Sequence, residues 1–324
     1  MKICLNSCWF SFDCPGGGEV QFLNTKAALE KQGLDIALYN QWMPQLHSFD
    51  LIHFFTVQQG MASFCEYVKS LALPLVLSPI YWPPAGASRG EMWEIEKMLR
   101  LADRILPNSK AEADLLAQTF DIASDKFSVI PNGIPSDFTS KPTELNLFTD
   151  RYRISTPYFI TVGNIEPRKN QLRVLKNLSI LNSAPPLVCI GNIRDQNYFE
   201  ECRSYGQQFI YIPPMDYGSQ LLKSAVSSSV GFILLSLFET PGLAAMEAAA
   251  LGVPLAITSR GSAKEYFGPS ALYADPENDE QILTTLRALM KSDFQFPRWS
   301  SNDFTWDTVA TKTNAVYRDV LRYT

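Results

Sequence analysis

Two glutamates eight positions apart are the first residues in this sequence whose types and spacing suggest chemistry. Glu239 and Glu247 begin and end the stretch "ETPGLAAME". On one continuous helix, eight positions leave about 80° of rotation beyond two full turns, so the two carboxylates would not share a face. The spacing is explained if Glu239 precedes a helix that carries Glu247, with Thr240 and Pro241 as its N-cap and first residue.

The residues around this pair predict a ligand with charge at its centre and hydroxyl groups at both ends. The apolar strand "GFILLS" precedes Glu239, and the helix "GLAAMEAAALG" follows it. Between the two carboxylates, the free N–H groups of Gly242 and Leu243 would face outward and meet a pyrophosphate. Carboxylates accept hydrogen bonds from vicinal sugar hydroxyls. The alternative for Glu247 is an exposed helix glutamate, although its apolar neighbours mean that the acid needs a partner.

A pair of cations forms the second candidate site, in the stretch "VGNIEPRKNQLRVL". Arg168 and Lys169 stand just before a predicted helix and close to the turn glycine Gly163. Cations at the start of a helix oppose its dipole, so an anion bound between them would relieve that cost. The alternative is a solvated surface pair.

Three glycines form the third candidate site, in "SFDCPGGGEVQF" after the first predicted strand. Gly16, Gly17 and Gly18 open a helix, and their backbone N–H groups could approach a phosphate closely. The alternative is a flexible turn between a strand and a helix.

Apolar runs alternate with amphipathic stretches along the chain, in two series. This pattern predicts an α/β fold with two doubly wound, Rossmann-like domains facing across a cleft. The strand candidates of the first series are "KICLNSCW", "DIALYN", "DLIHFFT", "LPLVLSPI", "DRILPNS" and "FSVIPNG". Those of the second series are "YFITVGN", "LVCIGN", "FIYIPP", "GFILLS", "PLAITS" and "ALYA". All three candidate sites follow strands, where ligands of doubly wound sheets bind.

The predicted domain boundaries follow from where this alternation lapses. Residues 1–140 are predicted as the N-terminal domain, and the polar, proline-containing stretch 141–157 is predicted as a linker. Residues 158–303 are predicted as the C-terminal domain, and residues 304–324 as a last helix.

Composition excludes several other classes of protein. The chain has 46% hydrophobic and 19% charged residues among 324, and its net charge of −5 argues against nucleic acid as a partner. Its six cysteines contain no CxxC pair, which indicates reduced thiols. With two histidines, a His-rich metal centre is not expected. No apolar run approaches the roughly 18 residues of a membrane span, so the expected location is cytoplasmic, including the inner face of the membrane.

From end to end, the chain resembles the retaining GT-B glycosyltransferases of family 4. The resemblance implies that residues 1–140 form the acceptor-side domain and residues 158–303 the nucleotide-sugar-binding domain, and that the helix of residues 304–324 crosses back to the first domain. The most specific part of the resemblance is the Glu-x7-Glu pair, since each of the other pieces alone is weak. In order, the matching pieces are "GGGEVQF", "ADRILPNSKAEADLL", "VIPNGI", "VGNIEPRKNQ", "ETPGLAAMEAAALGVPLAITS" and "WDTVATKTNAVYRDVL".

The resemblance implies roles for the charged residues. Glu247 would bind the ribose hydroxyls of a nucleotide diphosphate sugar, and Glu239 would bind the hydroxyls of the donor sugar. Lys169, with Arg168, would neutralise the departing diphosphate. No metal or cofactor is implied, because the nucleotide sugar is itself a substrate.

The resemblance also implies contacts made by less polar residues. The other donor-binding positions would be Gly16, Gly17, Gly18, Gly163, Asn164, Pro213, Pro214, Met215, Thr240, Pro241, Gly242 and Leu243. The acceptor-side candidates are Glu19, Tyr81 and Trp82. The sequence departs from the family in two places. The family often has a histidine at a position that falls near Ile80 or Tyr81, where this sequence has none. It also often has an arginine shortly after the turn glycine, where this sequence has Asn164.

The expected function is therefore transfer of a sugar, with retention, to a glycan or lipid-linked glycan acceptor in surface polysaccharide synthesis. Two alternatives remain, a GT-B sugar-nucleotide epimerase and a catalytically silent scaffold subunit. Residues 1–140 carry 10 Lys and Arg against 15 Asp and Glu, so at most weak peripheral membrane association is expected.

Overall fold

The computed structural model describes residues 1–13, 16–84, 86–291 and 297–323, and the chain divides into two units. The first unit comprises Met1–Gly133 and Asp303–Thr324, and the second comprises Ile134–Asn302. Each unit contains one parallel sheet. The predicted α/β fold with two doubly wound parallel sheets is confirmed.

Five parallel strands form the sheet of the first unit. They are β1 (Lys2–Asn6), β2 (Asp35–Leu38), β3 (Leu51–Phe55), β4 (Leu75–Ser78) and β5 (Arg104–Ile105). Their order is β2-β1-β3-β4-β5, and the helices between them are α1 (Gly17–Lys31), α2 (Ala62–Ser70), α3 (Trp93–Leu101) and α4 (Lys110–Phe120). Because β1 pairs with both β2 and β3, the strand order reverses beside the carboxyl end of β1.

Six parallel strands form the sheet of the second unit. They are β6 (Phe159–Val162), β7 (Leu187–Ile190), β8 (Phe209–Ile212), β9 (Gly231–Leu234), β10 (Leu255–Thr258) and β11 (Leu272–Ala274). Their order is β11-β10-β9-β6-β7-β8. The helices of this unit are α5 (Leu147–Tyr152), α6 (Gln171–Ser179), α7 (Gln196–Arg203), α8 (Gln220–Ser227), α9 (Leu243–Ala250), α10 (Ala263–Phe267) and α11 (Asp279–Leu289). Strand order reverses at the neighbouring pair β6 and β9.

One strand predicted for the first unit is wrong. The stretch "FSVIPNG", residues 127–133, makes a single bridge from Phe127 to Ile105 and does not form a strand. It runs beside β5, where the N–H of Ile130 bonds to the carbonyl of Pro107 at 2.9 Å. Pro107 has no N–H with which to return a bond to this stretch, so a continuous ladder cannot form.

The predicted linker, residues 141–157, is instead a packed part of the second unit. It contains α5, which packs against α8, and the side chain of Phe148 is fully buried. The N–H of Phe148 donates to the hydroxyl of Ser224 at 3.0 Å, and that hydroxyl donates to the carbonyl of Leu145 at 2.7 Å. Apolar residues within the polar stretch therefore bury this segment, and the boundary between units lies at Gly133, not at residue 140.

The last helix, α12 (Trp306–Tyr323), belongs to the first unit and packs against α1. Near its start, Asp307 pairs with Lys31 at 2.9 Å. Farther along, the hydroxyl of Tyr317 lies 2.5 Å from Nδ1 of His53 on β3. Among the described residues, no helix is long and apolar enough to cross a membrane.

The His53 side chain is wholly buried beneath α12. Its Nε2 lies 2.9 Å from the hydroxyl of Ser78 on β4, so both ring nitrogens have partners. Burial lowers the pKa of His53 to about 3. The folded protein therefore holds a neutral imidazole that the unfolded chain would protonate near pH 6.5.

This histidine is expected to make the first unit sensitive to acid. Because the folded pKa lies below the unfolded pKa, the unfolded chain binds more protons as the pH falls, and the free energy of unfolding decreases. Between pH 7 and pH 5 the loss from this group is about 2 kcal/mol. In urea unfolding, the difference in free energy of unfolding between wild type and His53→Gln should be about 2 kcal/mol smaller at pH 5 than at pH 7. Comparing the two proteins at the same pH cancels the contributions of all other titrating groups.

Tyr317→Phe is the control for this experiment. It removes one hydrogen bond to His53 but leaves the imidazole buried, so its stability should keep the wild-type dependence on pH. Identical pH dependence in wild type and in His53→Gln would contradict the prediction.

Candidate active site

The predicted cations and the first predicted glutamate meet at the carboxyl edge of the second sheet. Arg168 and Lys169 follow β6, and Glu239 follows β9. These strands are neighbours, although the residues that follow them are about 70 positions apart in the chain. Because ligands of doubly wound sheets bind where the strand order reverses, this edge is the candidate site of the second unit.

Lys169 and Glu239 form an ion pair at this edge. The Lys169 Nζ lies 2.6 Å from Glu239 Oε1, and the side chains are only 14% and 7% exposed. Burial by itself opposes the charged carboxylate, but the Lys169 ammonium, helped by Arg168, holds the pKa of Glu239 below its usual value. Glu239 is therefore ionised at neutral pH, in a buried and oriented pair.

Asn170 holds the two loops of this pair together, and the sequence alone did not identify it. Its backbone is left-handed, with φ 60°, a conformation that asparagine tolerates better than most residues. Its Nδ2 donates to the carbonyls of Leu235, at 3.0 Å, and Pro276, at 2.8 Å. The N–H of Leu237 also donates to the carbonyl of Arg168 at 2.9 Å. The only sequence signal was an asparagine directly before a helix.

Two glycines allow the backbone to close tightly around Glu239. At Gly242, with φ 87°, a Cβ would lie 2.7 Å from Leu234 Cδ2 and 3.4 Å from Glu239 Oε2. At Gly261, with φ 94°, a Cβ would lie 2.0 Å from the Glu239 carbonyl oxygen. The N–H of Ser262 donates to the same oxygen at 3.1 Å. Side chains at either glycine would displace Glu239, and Gly261 was also missed in the sequence.

The helix after Glu239 begins later than predicted. Gly242, in the left-handed conformation, is the N-cap and Leu243 is the first helical residue. Thr240 and Pro241 are thus not N-cap and first residue but lie in the loop before it, because the left-handed turn at Gly242 delays the helix. Glu247 is the fifth helical residue, one turn from the start, and its side chain is buried.

The turn after β6 contains the other predicted residues of this loop. Gly163 lies against the lysine side chain, since a Cβ there would be 3.5 Å from Lys169 Cε. Asn164 follows and is half-buried. Arg168 is exposed and pairs with Glu166 at 2.9 Å, so it is not part of the buried pair.

Three other residues predicted to bind the nucleotide sugar lie at the same sheet edge, but farther from Lys169 and Glu239. Pro213, Pro214 and Met215 follow β8, which is two strands from β6. That separation corresponds to about 10 Å across the sheet. Pro213 and Pro214 are exposed, and Met215 is half-buried.

In the first unit, the glycine turn opens α1 as expected. The helix begins at Gly17, and the N–H of Gly16 donates to Glu19 Oε2 at 2.6 Å. Glu19, predicted on the acceptor side, therefore caps its own helix. A Cβ at Gly18 would lie 3.4 Å from the hydroxyl of Thr56, at the end of β3, so the turn sits where the strand order of this sheet reverses.

The other two acceptor-side candidates follow β4. Tyr81 and Trp82 are both half-buried. The backbone N–H of Tyr81 donates to Glu112 Oε1 at 2.9 Å. Glu112, on α4, therefore contacts the segment that contains the predicted acceptor-side residues Tyr81 and Trp82.

Neither a cluster of metal ligands nor a disulfide is found in the part of the chain that the structure describes. Within residues 1–13, 16–84, 86–291 and 297–323, no group of three His, Cys, Asp or Glu side chains could hold a metal ion. The cysteines of those ranges are free, and Cys14 lies outside them.

Two family models match most of the chain between them. The model for glycosyl transferases group 1 matches residues 151–303, and the model for glycosyltransferase family 4 matches residues 34–138. An O-antigen chain mannosyltransferase of Salmonella typhimurium is 24% identical over 220 residues, 65% of this chain and 58% of the relative. The sulfoquinovosyl transferase of Arabidopsis thaliana is 26% identical over 288 residues, 81% of this chain and 54% of the relative. The chain thus spans just over half the length of these curated relatives.

Solved structures match the fold over nearly the whole chain. The Anabaena protein HepE, crystallised in complex with UDP, superposes with a TM-score of 0.79 at 16% identity, covering 98% of this chain and 100% of that one. Sucrose-phosphate synthase from Thermosynechococcus elongatus gives a TM-score of 0.80 at 13% identity and covers both chains completely. With both family models matched in chain order and this fold, the chain belongs to the group 1 and family 4 glycosyltransferases of the GT-B type.

Proposed function

We propose that this protein is a retaining glycosyltransferase that moves a sugar from a nucleotide diphosphate sugar to a glycan or lipid-linked glycan. The observation that carries the proposal is the buried Lys169–Glu239 pair at the strand-order reversal of the second sheet. A cation there can stabilise a diphosphate, and a carboxylate beside it can accept hydrogen bonds from sugar hydroxyls.

In the proposed reaction, the bond between the anomeric carbon and the diphosphate breaks while an acceptor oxygen attacks from the same face. A phosphate oxygen of the donor takes the proton of the acceptor hydroxyl, so no protein base is needed. Negative charge grows on the leaving diphosphate, and Lys169, with the exposed Arg168, opposes it. The Lys169 ammonium has three N–H donors, so it can bind phosphate while one donor remains on Glu239.

Each end of the donor has a proposed partner. Glu239 binds the hydroxyls of the transferred sugar, and Glu247 binds the ribose. The N-terminus of α9, beginning at Leu243, supports the diphosphate through its free N–H groups and dipole. Gly17 and Gly18, at the start of α1 in the first unit, offer backbone N–H groups to a phosphate, and Pro213–Met215 contact the base.

The comparisons support a nucleotide sugar and a surface glycan. HepE was crystallised with UDP and also with UDP-glucose, and two of the relatives are O-antigen chain mannosyltransferases. We therefore propose a hexosyl donor and an acceptor that is a growing polysaccharide or its lipid-linked precursor. Such an acceptor would bring the protein to the inner face of the membrane by weak, peripheral contact.

The test is a panel of nucleotide diphosphate sugars incubated with the purified protein and glycan acceptors. We expect one donor to release its nucleoside diphosphate, and the product to keep the donor's anomeric configuration by NMR. Binding of donors without turnover in any combination would favour the scaffold alternative, and an inverted product would refute retention.

Transfer is also expected to be independent of metal ions, because Lys169 supplies the cation at the diphosphate. With the active donor, treatment with a chelator should change kcat by less than about twofold. Addition of magnesium to the chelated protein is the control, and a loss of activity that magnesium restores would contradict the assignment of Lys169.

A further inference from the structure

The loop after β4 contains an unfavourable backbone conformation at the position where the sequence departs from its family. Ile80 has φ 48°, and Thr56, at the end of the neighbouring β3, has φ 64°. Such left-handed conformations are outliers for β-branched residues, and they persist only where surrounding contacts enforce them. A Cβ at Gly18 would lie 3.4 Å from the Thr56 hydroxyl and 3.9 Å from Ile80 Cδ1. Both strained residues therefore border the glycine turn.

Glu112 is the side chain that holds this loop. Its Oε1 accepts the N–H of Tyr81 at 2.9 Å, and its Oε2 accepts the N–H of Asn108 at 2.7 Å. The residue is fully buried, and burial raises its pKa to about 7, while the N–H groups of Tyr81, Asn108 and Ile80 act in the opposite direction. A buried carboxyl group is costly, so its retention needs these partners.

The sequence around Glu112 predicts a different, purely local role. Ser109 and Glu112 match the S-x-x-E capping box, in which the glutamate bonds back to the N-cap N–H. Here Ser109 caps α4 through its hydroxyl, 3.0 Å from the Glu112 N–H, but the carboxylate reaches the loop of another strand. The helix cap and the loop contact are therefore separate interactions.

The hydrogen bonds around Glu112 also extend to α1, the helix that the glycine turn opens. The side-chain amides of Asn108 and Gln21, on α1, exchange two hydrogen bonds of 2.8 and 3.0 Å, and both are buried. Glu112 thus connects the loop after β4, the loop after β5 and the helix that the glycines open.

We propose that Glu112 is a positioning residue, whose carboxylate fixes the Ile80–Tyr81 segment beside the glycine turn for the transfer step. This inference rests on the proposed function, because it assigns the loop after β4 to the substrate-facing edge of the first unit. Glu112 itself touches no substrate. Its effect passes through the backbone of Tyr81 and the side chain of Ile80.

The decisive comparison is between Glu112→Gln and Ser109→Ala. Glutamine keeps the volume of glutamate but places an NH2 group where one of the two carboxylate oxygens accepts backbone N–H groups, so at least one contact must be lost. Ser109→Ala removes the helix cap and leaves both carboxylate contacts in place. Both variants are expected to lower the melting temperature, which separates a loss of stability from a loss of positioning.

We expect Glu112→Gln to lower kcat by about 10- to 100-fold, since small misplacements at a reacting centre are costly. Its affinity for the released nucleoside diphosphate should change by less than about twofold, because the proposed ribose and base contacts belong to the second unit and Glu112 touches neither Gly17 nor Gly18. Ser109→Ala should keep kcat within about twofold. Equal losses of kcat in the two variants, or wild-type kcat in a folded Glu112→Gln, would overturn the proposal.

Hydrogen exchange tests the contact without any activity. Peptides covering residues 79–84 should exchange faster in Glu112→Gln than in wild type or in Ser109→Ala, and unchanged exchange would overturn the positioning role. Hydrogen exchange needs no active donor, so it tests the positioning role of Glu112 even if no sugar transfer is detected. Failure of the proposed function can therefore be told apart from failure of this inference. If Glu112→Gln does not fold, Glu112→Asp keeps both acceptor oxygens but retracts them, and smaller shifts in the same directions are expected.

Discussion

Replacing Lys169 with alanine is expected to lower kcat by about 100- to 1000-fold, the typical loss when one group that stabilises developing charge is removed. Affinity for the nucleotide sugar should fall much less, because charge on the leaving diphosphate is greatest in the transition state. Steady-state kinetics with the active donor, together with calorimetric donor binding, measures both quantities. Equal losses in donor affinity and in kcat/KM would show that Lys169 only holds the substrate.

The same substitution is expected to destabilise the second unit. Lys169→Ala leaves Glu239 buried without its cation, and breaking a buried pair in this way costs about 3 to 5 kcal/mol. The double variant Lys169→Ala/Glu239→Gln removes the uncompensated charge, so it should recover much of the stability but none of the activity. This combination separates electrostatic catalysis from folding.

Arg173→Ala is the matched control for Lys169→Ala. Arg173, four positions along the chain on α6, also pairs with an acid, Asp279, at 2.7 Å, but each side chain is about one-third exposed. An exposed pair contributes about 0 to 1 kcal/mol, so this variant should keep wild-type turnover and lose little stability. A loss of turnover equal to that of Lys169→Ala would mean that breaking any ion pair beside α6 lowers turnover, and that the effect is not specific to Lys169.

The second large effect is expected when either glutamate is replaced by alanine. The two variants should lose different functions, transfer in one and binding in the other. Glu239→Ala should abolish most transfer, because the sugar is then held loosely against the acceptor. It should leave affinity for the bare nucleoside diphosphate nearly intact, since that ligand has no sugar and the Lys169 ammonium remains. Glu247→Ala should weaken binding of both the nucleoside diphosphate and the full donor, because its proposed partner is the ribose.

Calorimetry with the nucleoside diphosphate and the full donor, on both variants, measures this difference. Melting temperatures are needed as a control, because both glutamates are buried. If the two variants lose only stability and bind every ligand equally well once folded, both residues are structural. If Glu239→Ala loses nucleotide affinity as severely as Glu247→Ala, the proposed division between sugar and ribose is wrong.

The sequence by itself determined the two series of strands and helices, because a strand covered by helices on both faces must be apolar along its length. The pattern is visible in β9 and β10, each buried throughout. The same pattern failed at residues 127–133, because the hydrophobicity of that stretch cannot reveal that its partner segment lacks a hydrogen-bond donor at Pro107. It also failed at residues 141–157, since the few apolar side chains there are buried only by contact with α8.

The tertiary structure alone decided which loops meet and how their side chains pair. Lys169 and Glu239 are adjacent because β6 pairs with β9, and strand order is a long-range property that no local stretch encodes. The sequence identified both residues as candidates, but their ion pair, and the part of Asn170 and Gly261 in holding it, depends on backbone segments distant in the chain. For the same reason, Glu112 looks like half of a helix cap in the sequence, and only the packing of α4 beside the loop after β4 turns its carboxylate toward Tyr81.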